Sequence, residues 1–148
     1  MNKPRIYCIF TGLGKTYFCK NHLGWADIDE EPFVRGGIEP GIMALTCDCY
    51  AKYGYKIVTC ATPYVLYGLS VVSNKYDIIL ILPSENMKEE IIQRVESRGD
   101  AEWAASLREK YYDIFYERLN NTFYRKVYAQ SGQYAGEIIE QLEQENLD

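Results

Sequence analysis

A short apolar run followed by a glycine-rich loop is the feature that most limits how this chain can fold. Arg5–Phe10 is rich in β-branched and aromatic residues, which is typical of a buried strand. The residues that follow fit the phosphate-binding pattern G-x-x-x-x-G-K-[S/T] as far as Thr16, except that Ile9 stands at the first glycine position. Residues 16–23 are compatible with a helix that ends at Gly24. The order strand, glycine loop, helix is the context in which such a P-loop binds phosphate.

The remaining residues of the motif each have a role in binding a nucleoside triphosphate. Glycine at two loop positions allows a tight turn in which successive N–H groups point at phosphate oxygens. The ammonium of Lys15 is expected to reach the β- and γ-phosphates, and the Thr16 hydroxyl is expected to bind Mg²⁺. An extended backbone at Ile9 would need no glycine there. We therefore predict ATP and Mg²⁺ as cofactors, surrounded by Thr11, Gly12, Leu13, Gly14, Lys15, Thr16 and Tyr17.

Composition and charge argue against several other classes of protein. The length of 148 residues is that of one domain, and a hydrophobic content of 47% is enough for a folded core. The net charge of −5 argues against a nucleic-acid-binding protein. Without an apolar run of 18 residues or a secretory pattern, we expect a cytoplasmic protein that does not contact membranes. The five cysteines and the single histidine, His22, predict reduced thiols and no zinc site.

The rest of the chain alternates predicted strands with predicted helices. Strands are expected at residues 25–28, 56–61, 77–82 and 123–128, and helices at 41–53, 63–74, 85–98, from the break at 99–100 to 119, and 132–142. Residues 32–39 are predicted to form a loop, marked by Gly36 and Gly37. Asp77–Leu82 is almost entirely apolar, which indicates a central parallel strand buried on both faces. Such alternation predicts an α/β sheet with right-handed crossovers.

Three segments of this sequence resemble P-loop kinases of the nucleoside monophosphate kinase type, in particular small adenylate-kinase-like proteins of phage and prophage genomes. They are the loop Phe10–Thr16, the segment Asp27–Asp29 at the end of the next strand, and a third segment made up of residues 81–84, 88–90 and 94–99. The resemblance extends from about Arg5 to Leu119. It implies a three-layer P-loop NTPase fold, with a five-stranded parallel sheet of order 2-3-1-4-5 flanked by helices. It also implies one domain over residues 1–148, a small helical lid around 85–120, and the cytoplasm of a bacterium or phage-infected cell.

A lid of this kind would bring positive charge to the transferred phosphoryl group. Arg94 and Arg98 are four residues apart, so they are predicted to share a helix face and to clamp phosphates from one side. The alternative for Arg94 is a surface ion pair with Glu90. Arg108 is a third candidate for phosphate binding.

Two acidic residues are candidates for the acceptor side of the site. Asp27 and Asp29 come at the carboxyl end of the second predicted strand, the edge at which ligands bind to such sheets. One of these carboxylates, for which Asp29 is the first choice, is predicted to orient or deprotonate an acceptor hydroxyl or to hold Mg²⁺ through water. The alternative is that both residues cap a helix. Arg35, in the following loop, is predicted to bind an acceptor phosphate.

The sequence thus predicts an ATP-dependent phosphotransferase that acts on a small acceptor, with a nucleoside monophosphate as the first choice. One alternative is a kinase for another acceptor, such as a nucleoside, a polynucleotide end or a sugar. Another is a non-catalytic nucleotide-binding regulator or phage accessory protein. The latter is motivated by Ile9 and by the third predicted strand, where Thr59 and Thr62 stand in place of a Walker B acid.

Overall fold

A five-stranded parallel sheet forms the centre of the protein in a computed structural model that describes residues 3–121 and 123–147. Its order is β2-β3-β1-β4-β5, which confirms the predicted order 2-3-1-4-5. The strands are β1 (Arg5–Ile9), β2 (Trp25–Ile28), β3 (Lys56–Cys60), β4 (Asp77–Pro83) and β5 (Arg125–Ala129).

The strand that precedes the glycine loop lies in the middle of this sheet. β1 pairs with β3 on one side and with β4 on the other, so that Ile6 is opposite both Ile57 and Ile78. All three of these isoleucines are buried, as is nearly all of β4. Burial on both faces explains why β1 and β4 read as continuous apolar runs rather than as alternating patterns.

Seven α-helices connect and flank the strands of the described chain. They are α1 (Lys15–Lys20), α2 (Glu31–Arg35), α3 (Pro40–Lys52), α4 (Pro63–Leu69), α5 (Lys88–Ser97), α6 (Ala101–Leu119) and α7 (Ala135–Leu147). α1 packs with α7, whereas α3 packs with α4 and α5 packs with α6. Right-handed crossovers place α1 and α7 on one face of the sheet and the other two helix pairs on the opposite face. None of the helices in the described ranges is long and apolar enough to cross a membrane.

Two predicted boundaries near the glycine loop are wrong. The predicted loop 32–39 contains the helix α2, because Asp29 Oδ1 accepts a hydrogen bond from the Glu31 amide and Arg35 pairs with Glu31 one turn later. The predicted helix 16–23 ends at Lys20, because the Asn21 side chain turns back and donates to the carbonyl of Tyr17.

Later elements differ from the prediction mainly at their ends. The helix expected at 63–74 stops at Leu69 and continues as a 3₁₀ turn, Ser70–Val72. The helix expected at 85–98 begins with another 3₁₀ turn, Glu85–Met87. β5 begins two residues later than expected, and α7 begins at Ala135 because Gly132 adopts a left-handed backbone with φ of 82°.

Candidate functional site

The glycine loop has the backbone that a P-loop requires. Gly12 and Gly14 have φ angles of 82° and 86°, in the left-handed region that favours glycine. A Cβ atom at Gly12 would lie 2.9 Å from Ile91 Cγ2, and one at Gly14 would lie 2.9 Å from Tyr134 Cδ1. Both positions therefore need glycine for two reasons, the backbone conformation and the space.

Position 9 does not need glycine. Ile9 is the last residue of β1, is buried, and pairs with Cys60 of β3 and Ile81 of β4. It lies in regular extended backbone, and no non-glycine residue of the described chain has a positive φ angle. The departure from the motif at this residue therefore leaves the loop geometry intact.

The loop lysine is paired with a carboxylate near the end of β2, two strands away from β1 in the sheet. Lys15 Nζ forms a salt bridge with Asp27 Oδ1, and the Thr16 hydroxyl lies 3.5 Å from Asp27 Oδ2. Only 16% of the Lys15 side chain and 22% of the Asp27 side chain are exposed. The fold thus brings together three residues that the sequence analysis selected from two separate segments.

The oxygen atoms of Thr16 and Asp27 suit Mg²⁺, which prefers a hydroxyl and one or two carboxylates and completes its shell with water and phosphate oxygens. The described residues contain no group of three or more His, Cys, Asp or Glu side chains that could hold a metal by themselves.

A cleft of about 570 Å³ opens at the carboxyl edge of the sheet, above the P-loop. Its lining includes the loop residues Thr11, Gly12, Gly14, Lys15, Thr16 and Tyr17 and, from other elements, Asp29, Thr62, Arg98, Trp103 and Arg118. Asp29 therefore reaches the cleft, although its Oδ1 also accepts from the Glu31 amide at 3.2 Å and so caps α2. Another cavity, of about 380 Å³, lies at the amino end of the strands and contains none of the predicted site residues.

The two predicted lid arginines have different surroundings. Arg94 is held on three sides: it pairs with Glu90, donates to the Gly12 carbonyl at 3.2 Å, and stacks on Tyr134 with its guanidinium carbon 3.9 Å from the ring centre. Arg98 lines the cleft and is exposed, and its guanidinium has no hydrogen bond or ion pair with any described residue. A side groove of about 480 Å³, which also reaches Gly12 and Gly14, is lined by both arginines.

Two other predicted arginines are not brought to the cleft. Arg35 is 76% exposed and pairs with Glu31 along α2. Arg108 pairs with Glu89 and Glu96 on the outer surface of α5 and α6. Neither side chain lines the cleft or the side groove.

Glu90 connects α5 to the loop between β5 and α7. Its carboxylate accepts hydrogen bonds from the Ser131 hydroxyl and the Gly132 amide, in addition to pairing with Arg94. The hydrogen bond from Ser131, followed by that from Gly132, lowers the pKa of Glu90 below its ordinary value. The Leu13 carbonyl accepts from the Ala135 amide at 2.8 Å, so the same loop also contacts the P-loop.

Three further residues of the site escaped the sequence analysis. Trp103 donates its indole N–H to the Thr11 hydroxyl at 3.3 Å, Tyr134 covers Gly14, and Arg118 lies buried in the wall of the cleft. In the sequence, Trp103 and Arg118 only continue the periodicity of a helix, and Tyr134 is one tyrosine among 14. The one available signal was the position of Tyr134 directly after the last strand and its turn, at the same sheet edge as the P-loop.

The end of β3 carries no carboxylate. Thr59 donates its hydroxyl to the Ile28 carbonyl at 2.6 Å, and Thr62 donates to Glu30 Oε2 at 2.6 Å. Between them, burial raises the pKa of the Cys60 thiol, which keeps it neutral. The nearest carboxylate to the P-loop hydroxyl is therefore Asp27, on β2.

The sheet order, the helices on both faces and the loop after β1 define a fold of the P-loop kinase type. One similar solved structure is a gluconokinase from Sinorhizobium meliloti 1021, with a TM-score of 0.55 and 12% sequence identity over 94% of this chain and 88% of that one. Another is an uncharacterized protein from Eubacterium ventriosum ATCC 27560, with the same TM-score and identity over 95% of this chain and 98% of that one. At this level of identity the likeness concerns the fold. No protein-family model and no curated protein matches the sequence.

Proposed function

We propose that this protein is an ATP-dependent phosphotransferase that acts on a small acceptor, with a nucleoside monophosphate as the first candidate. The observation that carries the proposal is the convergence of the P-loop, Asp29 and Arg98 on one cleft of a kinase-type fold, with Asp27 paired to the loop lysine. Phosphoryl transfer needs little covalent chemistry from the protein; it needs aligned phosphates and positive charge around the transferred group.

The P-loop supplies the donor side. The backbone turn at Gly12 and Gly14 directs N–H groups toward phosphate oxygens, and Lys15 exchanges its contact with Asp27 for the β- and γ-phosphates. Thr16 and Asp27 are the residues that would hold Mg²⁺, directly or through water. The metal would neutralise charge that develops on the phosphates.

Asp29 and Arg98, which line the same cleft as the P-loop, supply the acceptor side. Asp29 would orient the acceptor hydroxyl or accept its proton, and Arg98, which has no partner among the described residues, would bind the transferred phosphoryl group. Arg94 would instead hold the P-loop and Tyr134 in place, since its guanidinium is already engaged. Arg35 and Arg108 would reach phosphates only after a movement that breaks their ion pairs.

A second candidate is a nucleotide-binding regulator without turnover. Two observations favour it: the end of β3 lacks a carboxylate, and Asp27 neutralises Lys15. A third possibility within the kinase class is another acceptor, such as a nucleoside, a polynucleotide end or a sugar. The gluconokinase with a similar fold makes gluconate a reasonable member of any panel.

Release of ADP in the presence of Mg²⁺, ATP and single acceptors separates these candidates. The panel contains the common nucleoside monophosphates, their nucleosides, gluconate, glucose and an oligonucleotide with a free 5′ end. Turnover with one acceptor well above the ATP-only rate supports the kinase and names its acceptor class. Tight ATP binding without turnover on any acceptor favours the regulator.

A further inference from the structure

We infer that Arg118 binds an anionic group of the acceptor, a carboxylate or a phosphate, inside the cleft. This inference rests on the proposed function and adds the chemical class of the acceptor to it. Arg118 comes from the last turn of α6, far along the chain from the P-loop, and lines the same cleft as Lys15 and Asp29.

The burial of Arg118 is the observation that needs an explanation. Only Asp48, Thr59 and Arg118 are buried polar or charged side chains in the described part of the chain. Asp48 has Tyr76 and two lysines as partners, and Thr59 donates to a carbonyl. Arg118 is the one cation of the three, and the carboxylate in contact with it, that of Glu117, is exposed.

The contacts of Arg118 satisfy only part of its guanidinium. Nε donates to the Ala61 carbonyl at 2.5 Å, and Nη1 lies 3.3 Å from Oε1 of Glu117, which is 60% exposed. Nη2 has no hydrogen bond with any described residue and is not closed off from solvent, so it is free to donate to a group in the cleft. Glu30 acts on Arg118 at longer range, but its carboxylate is engaged by Thr62. Loss of water lowers the pKa of Arg118, the direction expected for a buried cation without full compensation.

An anion in the cleft would supply the missing compensation. A carboxylate or phosphate accepts two parallel hydrogen bonds from a guanidinium, whereas a neutral hydroxyl leaves the charge uncompensated. The carbonyl of Ala61 fixes the guanidinium at the end of β3, next to the strand end that carries Asp29. An acceptor held by its anion would then share the cleft with Asp29 and the P-loop. Nucleoside monophosphates and sugar acids meet this requirement, and nucleosides and neutral sugars do not.

Matched acceptor pairs test this inference. We compare kcat/KM for AMP with that for adenosine, and for gluconate with that for glucose, in the wild type, Arg118→Met and Arg118→Lys. Arg118→Met keeps the length of the side chain and removes the charge, and Arg125→Met is the control on an exposed arginine at the amino end of the sheet. We expect the kcat/KM of the wild type to be about 100-fold or more higher for one anionic acceptor than for its neutral partner, since a site built for a polar group rejects the analogue that lacks it. Arg118→Met should abolish that preference while KM for ATP stays unchanged, and Arg118→Lys should restore part of it.

Two results would overturn the inference. One is equal use of the charged and neutral members of each pair by the wild type. The other is an equal loss of kcat/KM for the charged and the neutral acceptor in Arg118→Met, together with a lower melting temperature. Arg118 would then have only a structural role, in holding α6 against the end of β3.

A separate titration keeps this test independent of turnover. If the wild type neither binds ATP nor phosphorylates any acceptor, the proposed function fails. Sulfate is then titrated into Lys15→Ala while the fluorescence of Trp103 is followed. The same titration of a Trp103→Phe variant measures the contribution of Trp25, the other tryptophan of the chain. A saturable change that disappears when Arg118→Met is added supports an anion site at Arg118 without the reaction. The same change with and without Arg118 contradicts it.

Discussion

Asp29 is the residue whose proposed role goes furthest beyond its contacts. It caps α2 through one carboxylate oxygen and lines the cleft, so both of its predicted roles are compatible with its position. Asp29→Asn keeps the shape and the cap and removes the charge. We expect ATP binding to stay nearly unchanged and transfer to fall by roughly 100-fold or more, the usual scale for a positioned acid–base group. Single-turnover transfer measures this, and full activity would leave Asp29 only its role as a cap.

Asp27 is expected to behave differently from its neighbour. Because it neutralises Lys15 in the free protein, a nucleotide must displace it. Asp27→Asn should therefore tighten the binding of ATP in EDTA by up to about fivefold, the scale of an ion pair of roughly 1 kcal/mol. The same variant should lose transfer activity, since Asp27 is also the nearest carboxylate for Mg²⁺. Calorimetric titrations with and without Mg²⁺ measure both effects, and weaker binding in EDTA would contradict this account of the pair.

At the scale of elements, Arg94 of α5 and Arg98, the residue directly after this helix, are two arginines whose loss we expect to have different effects. Arg98 has no partner among the described residues, so Arg98→Ala should lower kcat strongly and leave the melting temperature nearly unchanged. Arg94 connects α5, the P-loop and Tyr134, so Arg94→Ala should lower both the melting temperature and the affinity for ATP. Thermal unfolding and steady-state kinetics on the two variants measure the contrast. Equal effects in both variants would mean that Arg94 and Arg98 do not have these separate roles.

The bridge from α5 to the β5–α7 loop should depend on pH. The folded pKa of Glu90 lies below its ordinary value of 4.5, so its stabilising effect is complete above that value and is lost as the pH falls through the folded pKa. Glu90→Gln should therefore reduce the free energy of unfolding at pH 7, and the difference from the wild type should shrink as the pH falls below about 4.5. Urea unfolding at several pH values measures this. A difference that does not change with pH would mean that the charge of Glu90 is not involved.

At the scale of the whole molecule, local sequence patterns were enough to predict the sheet but not to predict all the residues that line the cleft. β1 and β4 could be predicted because strands buried on both faces are apolar throughout, and the P-loop resemblance supplied the strand order. α2 was missed because Gly36 and Gly37 suggested a loop, although the alternative role of Asp29 as a helix cap already pointed to a helix after β2. Arg118 was missed because its burial results from packing between α6 and the end of β3.

The central claim is that the loop after β1 binds a nucleoside triphosphate through Lys15. Calorimetric titration of Mg²⁺ and ATP into the wild type, Lys15→Ala and Lys20→Ala tests it most directly, since Lys20 is an exposed lysine of the same helix, α1. The account predicts saturable binding to the wild type and to Lys20→Ala, and binding at least about tenfold weaker in Lys15→Ala, which should fold normally. Equal affinity in all three proteins, or no binding to the wild type, would contradict the P-loop assignment.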